Sequence, residues 1–149
     1  PYSYTRSAFL MYVQGAALSG LTAFVLLDSE AEALDKRICK YGRKAMRGTA
    51  CWKDDLEQKY KAKTDKEVMK YWGMAPSKVE LRVRRLKWMQ SMSENPEEHQ
   101  QVRVALFGQA RIEKEPSIVD FAPTESASPW TKMFYEDLLE FAKIGSGIS

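Results

Sequence analysis

Residues 8–27 form an unbroken run of twenty residues without a charged side chain, AFLMYVQGAALSGLTAFVLL. A single α-helix of this length would be about 30 Å long, because each residue adds about 1.5 Å, and that length matches the hydrocarbon core of a bilayer. The run therefore predicts a long hydrophobic first helix. Its small residues Gly15, Ala16, Ser19 and Gly20 are typical of helices that pack closely against a neighbour.

This composition leaves two interpretations open. The helix is either a buried core helix of a soluble domain or a membrane span, because its length and lack of charge suit both. In either case one side of the helix is expected to meet protein or lipid. The residues expected on that side are Phe9, Val13, Ala16, Gly20 and Phe24.

Charge is distributed unevenly along the chain. The formal net charge of the 149 residues is only +3. The segment 36–88, however, carries 17 Lys/Arg against 6 Asp/Glu, a net charge of +11, and the remaining residues therefore sum to −8. A basic middle between acidic ends predicts a surface that faces a polyanion. A solvated basic face is the simpler alternative.

Helical periodicity and helix-start signals predict an all-α fold of about six helices, with no alternating pattern that would predict a sheet. Three capping boxes mark helix starts, since a hydroxyl and a carboxylate three residues apart satisfy free backbone donors. A further helix is expected from Asn95 to Gly108 and a last amphipathic one after Ser128. Polar composition predicts an exposed loop at 49–63, and prolines predict an irregular connection at 109–127. The three boxes are Ser29 with Glu32, Thr64 with Glu67, and Ser77 with Glu80.

Two of the predicted helices have a clear division into apolar and basic sides. The helix after Ser29 places Leu34, Ile38, Tyr41 and Ala45 at helical spacing and is expected to bury them. The helix after Ser77 is expected to bury one set of residues and to expose another. The buried set is Leu81, Leu86, Trp88 and Met89, and the exposed set is Lys78, Arg82, Arg85 and Lys87.

Three motifs occur in a distinctive order along this basic middle: RKAMRG at 43–48, DKEVMKYWG at 65–73 and KVELRVRRLKW at 78–88. Their order resembles the region after the palm in reverse transcriptases of non-LTR retroelements, and is closest to dinoflagellate-type versions. The resemblance covers about residues 13–108. It departs from the family at 19–24, where relatives carry a Tyr-Gly-x-Glu-x-Trp-like segment, and at 89–90, where many carry Gly-His.

The resemblance implies a thumb-like set of helices near a template–primer duplex, and a short hairpin in the 49–63 loop. Guanidinium and ammonium groups on two helices would then hold nucleic-acid phosphates without reading bases. The leading functional hypothesis is a non-catalytic helical fragment that binds the nucleic-acid backbone. An acidic protein partner is the alternative ligand for the same surface. The candidate binding residues are Arg37, Lys40, Arg43, Lys44, Arg47, Lys78, Arg82, Arg85 and Lys87.

Catalytic and cofactor motifs are not expected in this chain. A polymerase palm needs a carboxylate cluster that holds two metal ions, whereas the adjacent pair Asp54–Asp55 lies in a lysine-rich segment with no hydrophobic strand before it. Cys39 and Cys51 lack the spacing of a zinc site and are expected to be reduced, buried thiols. The sequence therefore predicts no enzyme activity, no metal site and no cofactor.

The predicted organisation has three parts. Residues 1–27 form the hydrophobic helix, residues 28–108 the basic helical domain, and residues 109–149 a linker with the last helix. A second hypothesis makes the chain a small structural subunit of a membrane-bound complex, anchored by residues 8–27 and contacting other subunits. The first hypothesis places the protein in the nucleus, and the second places it in an organelle membrane.

Overall fold

The computed structural model describes residues 2–54, 56, 59–95, 97–101, 123, 125 and 127–145. Helices dominate these residues, which confirms the all-α class. The helices are α1 (Tyr2–Phe9), α2 (Gly15–Ala17), α3 (Asp28–Met46), α4 (Asp65–Trp72), α5 (Ser77–Glu94) and α6 (Pro129–Gly145). An antiparallel ribbon of β1 (Cys51–Asp54) and β2 (Lys59–Ala62) lies between α3 and α4.

The predicted twenty-residue hydrophobic helix does not form, and that prediction is wrong. A π-helical turn at Leu10–Gln14 joins α1 to α2, and the helix ends after Ala17. Gly20 then adopts a positive φ of 75°, a conformation that ends helices and that glycine takes at little cost. A short 3₁₀ turn at Leu21–Ala23 follows. Gly20 therefore serves as a turn residue and does not provide a surface for close helix packing.

The five residues expected on one side of that helix have different environments. Phe9 is buried and Val13 is half-buried against the same core. Ala16 and Gly20 are exposed, and Phe24, which lies beyond the helix, is 61% exposed. Within the described parts of the chain, no helix has both the length and the apolar character needed to cross a bilayer.

The chain forms two compact units: residues 1–21 with 26–81, and residues 22–25 with 82–149. The core of the first unit is built on the stacking of Phe9 against Trp72, whose ring centroids are 4.2 Å apart. Arg6 fixes this end of the core, because its Nε donates to the Trp72 carbonyl at 2.7 Å. The buried residues of this core are Phe9, Ile38, Cys39, Met46, Val68, Trp72 and Met74.

Helices α3 and α4 approach each other closely at Gly42. A β-carbon at that position would lie 2.9 Å from Cγ1 of Val68 and 3.1 Å from Nε1 of Trp72. The absence of a side chain lets the Trp72 indole reach the Gly42 carbonyl, to which its Nε1 donates at 3.2 Å. The predicted buried side of α3 is therefore rotated: Ile38 is buried as expected, but Tyr41 and Ala45 are exposed, while Cys39, Gly42 and Met46 are buried.

The three predicted capping boxes have three different outcomes. The box at Thr64 is confirmed, because the Thr64 amide donates to Glu67 at 2.7 Å and the Glu67 amide donates back to the Thr64 hydroxyl at 3.4 Å. At the start of α3 the carboxylate of Glu30 accepts the Leu27 amide, so the box predicted at Ser29 lies two residues too late. Ser77 instead donates both its amide and its hydroxyl to Asp35.

The second unit has its own small core between the later part of α5 and α6. Met92 and Phe134 are buried, and Trp88 and Trp130 pack around them. The Trp130 and Phe134 rings meet edge to face, with centroids 4.8 Å apart. The prediction for α5 holds for Leu81, which is buried, whereas Trp88 is half-buried. Most of the helix predicted from Asn95 to Gly108, and most of the connection at 109–127, lie outside the described residues.

Candidate nucleic-acid interface

One side of α3 is basic and faces away from the core. At about 100° per residue, Arg37, Lys40 and Lys44 fall on one stripe, opposite the stripe that buries Ile38 and Cys39. All three cationic side chains are exposed. Lys44 lies beside the exposed ring of Tyr41, with its Nζ 5.8 Å from the ring centroid. The amphipathic pattern of the helix thus presents a row of cations to solvent.

Arg47 extends this row past the end of the helix. It occupies the C-cap of α3 with φ 52° and ψ −129°, a conformation that is comfortable for glycine and strained for a side-chain-bearing residue. Gly48 follows directly, yet among the described residues other than glycine it is Arg47 that has a positive φ. We call Arg37, Lys40, Lys44 and Arg47 the α3 basic face. None of its members forms an ion pair with a residue that the structure describes.

Arg43 lies on a different side of the same helix and is half-buried. Its Nε donates to the Lys63 carbonyl at 2.9 Å, and its Nη2 pairs with the carboxylate of Asp65. These contacts attach α3 to the segment between β2 and α4. Arg43, although it was a candidate for phosphate binding, is engaged in holding the fold together.

Two of the three arginines of α5, Arg82 and Arg85, are engaged in the same way. Asp137 of α6 is 2% exposed and accepts from Arg82 Nε at 2.9 Å and from Arg85 Nη2 at 3.2 Å. Arg85 is itself only 6% exposed, so the prediction that it faces solvent is wrong. A buried carboxylate needs such charged partners, since an unpaired buried charge is costly. This cluster fastens α5 to α6.

The two remaining candidates on α5 are surface lysines. Lys78 pairs with Asp28 at 2.6 Å, and both side chains are largely solvent-exposed. Exposed pairs of this kind contribute about 0–1 kcal/mol and exchange readily with other ligands. Lys87 is exposed and belongs to the second unit.

The β1–β2 ribbon, where composition alone predicted a loop, adds further cations. In its register Trp52 lies opposite Lys61, Lys53 opposite Tyr60 and Asp54 opposite Lys59. The side chains of Lys53, Lys59 and Lys61 are exposed, and Lys61 pairs with Asp54 at 2.7 Å. The Lys63 amide donates to the Ala50 carbonyl at 2.9 Å, which extends the ribbon towards α3.

Sequence reasoning missed several residues that organise this region. Asp35 and Asp137 were counted only as negative charges, yet each is the acceptor that positions a helix. Lys36 is exposed beside Arg37 and was left off the candidate residues. Spacing along α3 could have identified Lys36, but the partners of the two aspartates lie 42 and 55 residues away and leave no local signal.

The site offers little that could hold a metal ion. In the part of the chain that the structure describes, no group of three or more His, Cys, Asp or Glu side chains is arranged to bind one. Asp54 is paired with Lys61, and Asp55 lies outside the described residues. What the arrangement provides is fixed positive charge on an exposed helix and ribbon.

Comparison with known proteins gives no further guidance: no family model matches the chain, and no curated protein or solved structure is significantly similar to it.

Proposed function

We propose that this chain is a non-catalytic, helical nucleic-acid-binding protein related to the post-palm region of non-LTR reverse transcriptases. It would bind phosphates through the α3 basic face. Contacts to phosphate position a protein on nucleic acid without reading sequence, and their affinity falls with salt because bound counterions are released. Little base preference is therefore expected at this surface.

The observation that carries the proposal is that cations divide into two groups in this fold. Arg43, Arg82 and Arg85 are used internally against Asp65 and Asp137. The four members of the α3 basic face have no such partner among the described residues, although they follow one another along a single helix and its end. Lys44 and Arg47 lie at the negative C-terminal end of the α3 dipole, which favours cations there. Like charges four residues apart, such as Lys40 and Lys44, nevertheless repel each other. A polyanion ligand would neutralise all four cations.

The placement of the three motifs also supports the relationship. RKAMRG covers the end of α3, DKEVMKYWG coincides with α4 and its left-handed Gly73 cap, and KVELRVRRLKW lies within α5. The resemblance expects each motif to lie on a separate helix in this order. It also expects a short hairpin where β1 and β2 lie.

A charge-neutral variant tests the proposal. Replacing Arg37, Lys40, Lys44 and Arg47 by Gln removes four exposed cations that form no ion pair with a described residue, so folding should be retained. If each contacts one phosphate, affinity for a mixed-sequence duplex should fall on the order of 10³-fold near 0.1 M salt. Binding would be measured by fluorescence anisotropy, with circular dichroism to confirm folding.

The matched control neutralises cations elsewhere on the same unit. Lys66 and Lys70 are exposed on α4, which packs on the opposite side of α3. Lys66→Gln with Lys70→Gln should weaken duplex binding far less than a pair of substitutions such as Lys40→Gln with Lys44→Gln. Equal losses would mean that only net charge matters, and unchanged binding in the four-residue variant would refute the proposal.

A further inference from the structure

The β1–β2 ribbon has an unusual combination of aromatic and basic side chains. Every described residue of its strands is exposed except Asp54, which is half-buried. Trp52 is 46% exposed and Tyr60 is 76% exposed. Large aromatic residues gain free energy by leaving water, and in short strands they usually do so by packing on a core. Here neither ring has a ring–ring stacking partner among the described residues.

The register places each ring beside a cation. Residues directly opposite in an antiparallel pair share a face of the ribbon, so Trp52 shares a face with Lys61, and Tyr60 shares the other face with Lys53. Neighbouring positions alternate between faces, and the two rings therefore lie on opposite faces. The face of Trp52 also carries Asp54 and Lys59, and Asp54 is the ion-pair partner of Lys61. The face of Tyr60 carries Lys53 opposite the ring. Each face thus combines one aromatic ring with lysine side chains.

We infer that this ribbon stacks unpaired bases, so that the protein prefers single-stranded to double-stranded nucleic acid. The inference rests on the proposed phosphate binding by the α3 basic face and adds the class of strand that is bound. Every base has an aromatic face, and a side chain that stacks on it needs a base that is not already stacked within a duplex. Exposed rings with lysines nearby match this ligand, because each nucleotide carries a base that stacks on a ring and a phosphate that a lysine binds.

The ribbon is fixed to the basic helix, so that α3 and the ribbon can bind the same nucleic-acid strand. An isolated two-stranded ribbon is marginally stable in water. This one is secured at its base by the hydrogen bond from Lys63 to Ala50 and by the one from Arg43 to Lys63, each 2.9 Å long. The α3 basic face and both rings belong to the same compact unit. A single nucleic-acid strand would therefore place its phosphates on α3 and its bases on the rings.

The test compares oligonucleotides that differ only in their bases. Trp52→Ala should lower affinity for a 15-nucleotide oligothymidylate about 5- to 150-fold, the range for loss of one stacked base. Its affinity for a duplex, and for an abasic 15-mer, should stay within twofold of the wild type. Trp52→Phe should retain most of the binding, because it keeps an aromatic ring. Oligouridylate measured in parallel shows whether RNA or DNA is preferred.

Two further variants provide the controls. Tyr60→Ala should lower the affinity for oligothymidylate, as Trp52→Ala does. Tyr12→Ala removes a ring that is 75% exposed in the π-helical turn at Leu10–Gln14 and should leave that affinity unchanged. Because all three rings are exposed, each variant is expected to fold, and its thermal midpoint checks this.

The outcomes separate this inference from the proposed function. If Trp52→Ala and Tyr60→Ala leave oligothymidylate binding unchanged while the α3 variant loses it, base stacking is refuted and phosphate binding stands. A loss that is equal for oligothymidylate and for the abasic strand also refutes stacking. If the wild-type protein binds neither single strands nor duplex, both proposals fail.

Discussion

The indole of Trp72 donates a hydrogen bond to the carbonyl oxygen of Gly42 at 3.2 Å. This contact joins α4 to the middle of α3 and forms only because residue 42 has no side chain. It lies beneath the basic face, on the buried side of the same helix. The positions of the exposed cations on α3 therefore depend on how closely α4 packs behind them.

Gly42→Ala should destabilise the protein even though alanine is the better helix former. The gain in helix propensity is about 1 kcal/mol, whereas overpacking a tight core costs about 1–3 kcal/mol. The new β-carbon would lie 2.9 Å from Val68, so the helices must separate. Urea unfolding followed by tryptophan fluorescence should show a lower midpoint. Gly48→Ala, where nothing lies within 4 Å of the added carbon, serves as the control and should not lower it.

Asp137→Ala should be among the most damaging single substitutions in the second unit. It leaves the buried Arg85 guanidinium without its carboxylate, and breaking a buried pair in this way costs about 3–5 kcal/mol. The double variant Arg85→Met with Asp137→Leu removes both charges and should recover most of the loss. Chemical denaturation of Arg85→Met, Asp137→Leu and their double variant gives the coupling energy. Additive losses would contradict the assigned ion pair.

Arg47→Gly should raise the stability of the fold and weaken nucleic-acid binding. Glycine accepts the positive φ of 52° at this position, so relief of backbone strain should stabilise the fold by about 1–3 kcal/mol. The same change removes one cation from the α3 basic face and should weaken nucleic-acid binding. Arg47→Ala loses the cation and keeps the strain, and so should weaken binding without raising the thermal midpoint. Parallel melting and anisotropy measurements on both variants check this.

The two cysteines should differ sharply in reactivity. Burial, with a further contribution from the Asp65 carboxylate, raises the pKa of the Cys39 thiol from 9.0 to about 11. Cys39 is also fully buried as expected, whereas Cys51 is exposed on β1, so the prediction of a buried thiol is wrong for Cys51. Since the thiolate is the reactive form, iodoacetamide at pH 8 should modify Cys51 alone in the folded protein. Mass spectrometry should find both modified in denaturant, and rapid native modification of Cys39 would contradict its burial.

The sequence predicted local features better than it predicted contacts between distant residues. Helix class and the capping box at Thr64 depend on neighbours within one turn, and both are confirmed. The buried side of α3 was mispredicted because Tyr41 looks apolar, whereas the buried residue beside it is Gly42, which periodicity does not weigh. The stop at Gly20 was overlooked because the apolar run continues past it.

In the candidate site, too, local features were predicted and contacts between distant residues were not. The exposed stripe of Arg37, Lys40 and Lys44 follows from helical spacing and lies where it was expected. Spacing cannot reveal that Arg85 is buried, because its partner Asp137 lies 52 residues away on another helix. Charge patterning therefore identifies cations, and only the tertiary fold shows which of them are already paired.

The salt dependence of duplex binding tests the central claim most directly. For the wild-type protein the logarithm of the association constant should fall linearly with the logarithm of salt concentration. The variant with Gln at 37, 40, 44 and 47 should have a slope shallower by about 3–4, because four phosphate contacts each release about 0.9 counterions. A slope that is the same in both proteins, or wild-type binding that does not respond to salt, would contradict phosphate binding by the α3 basic face.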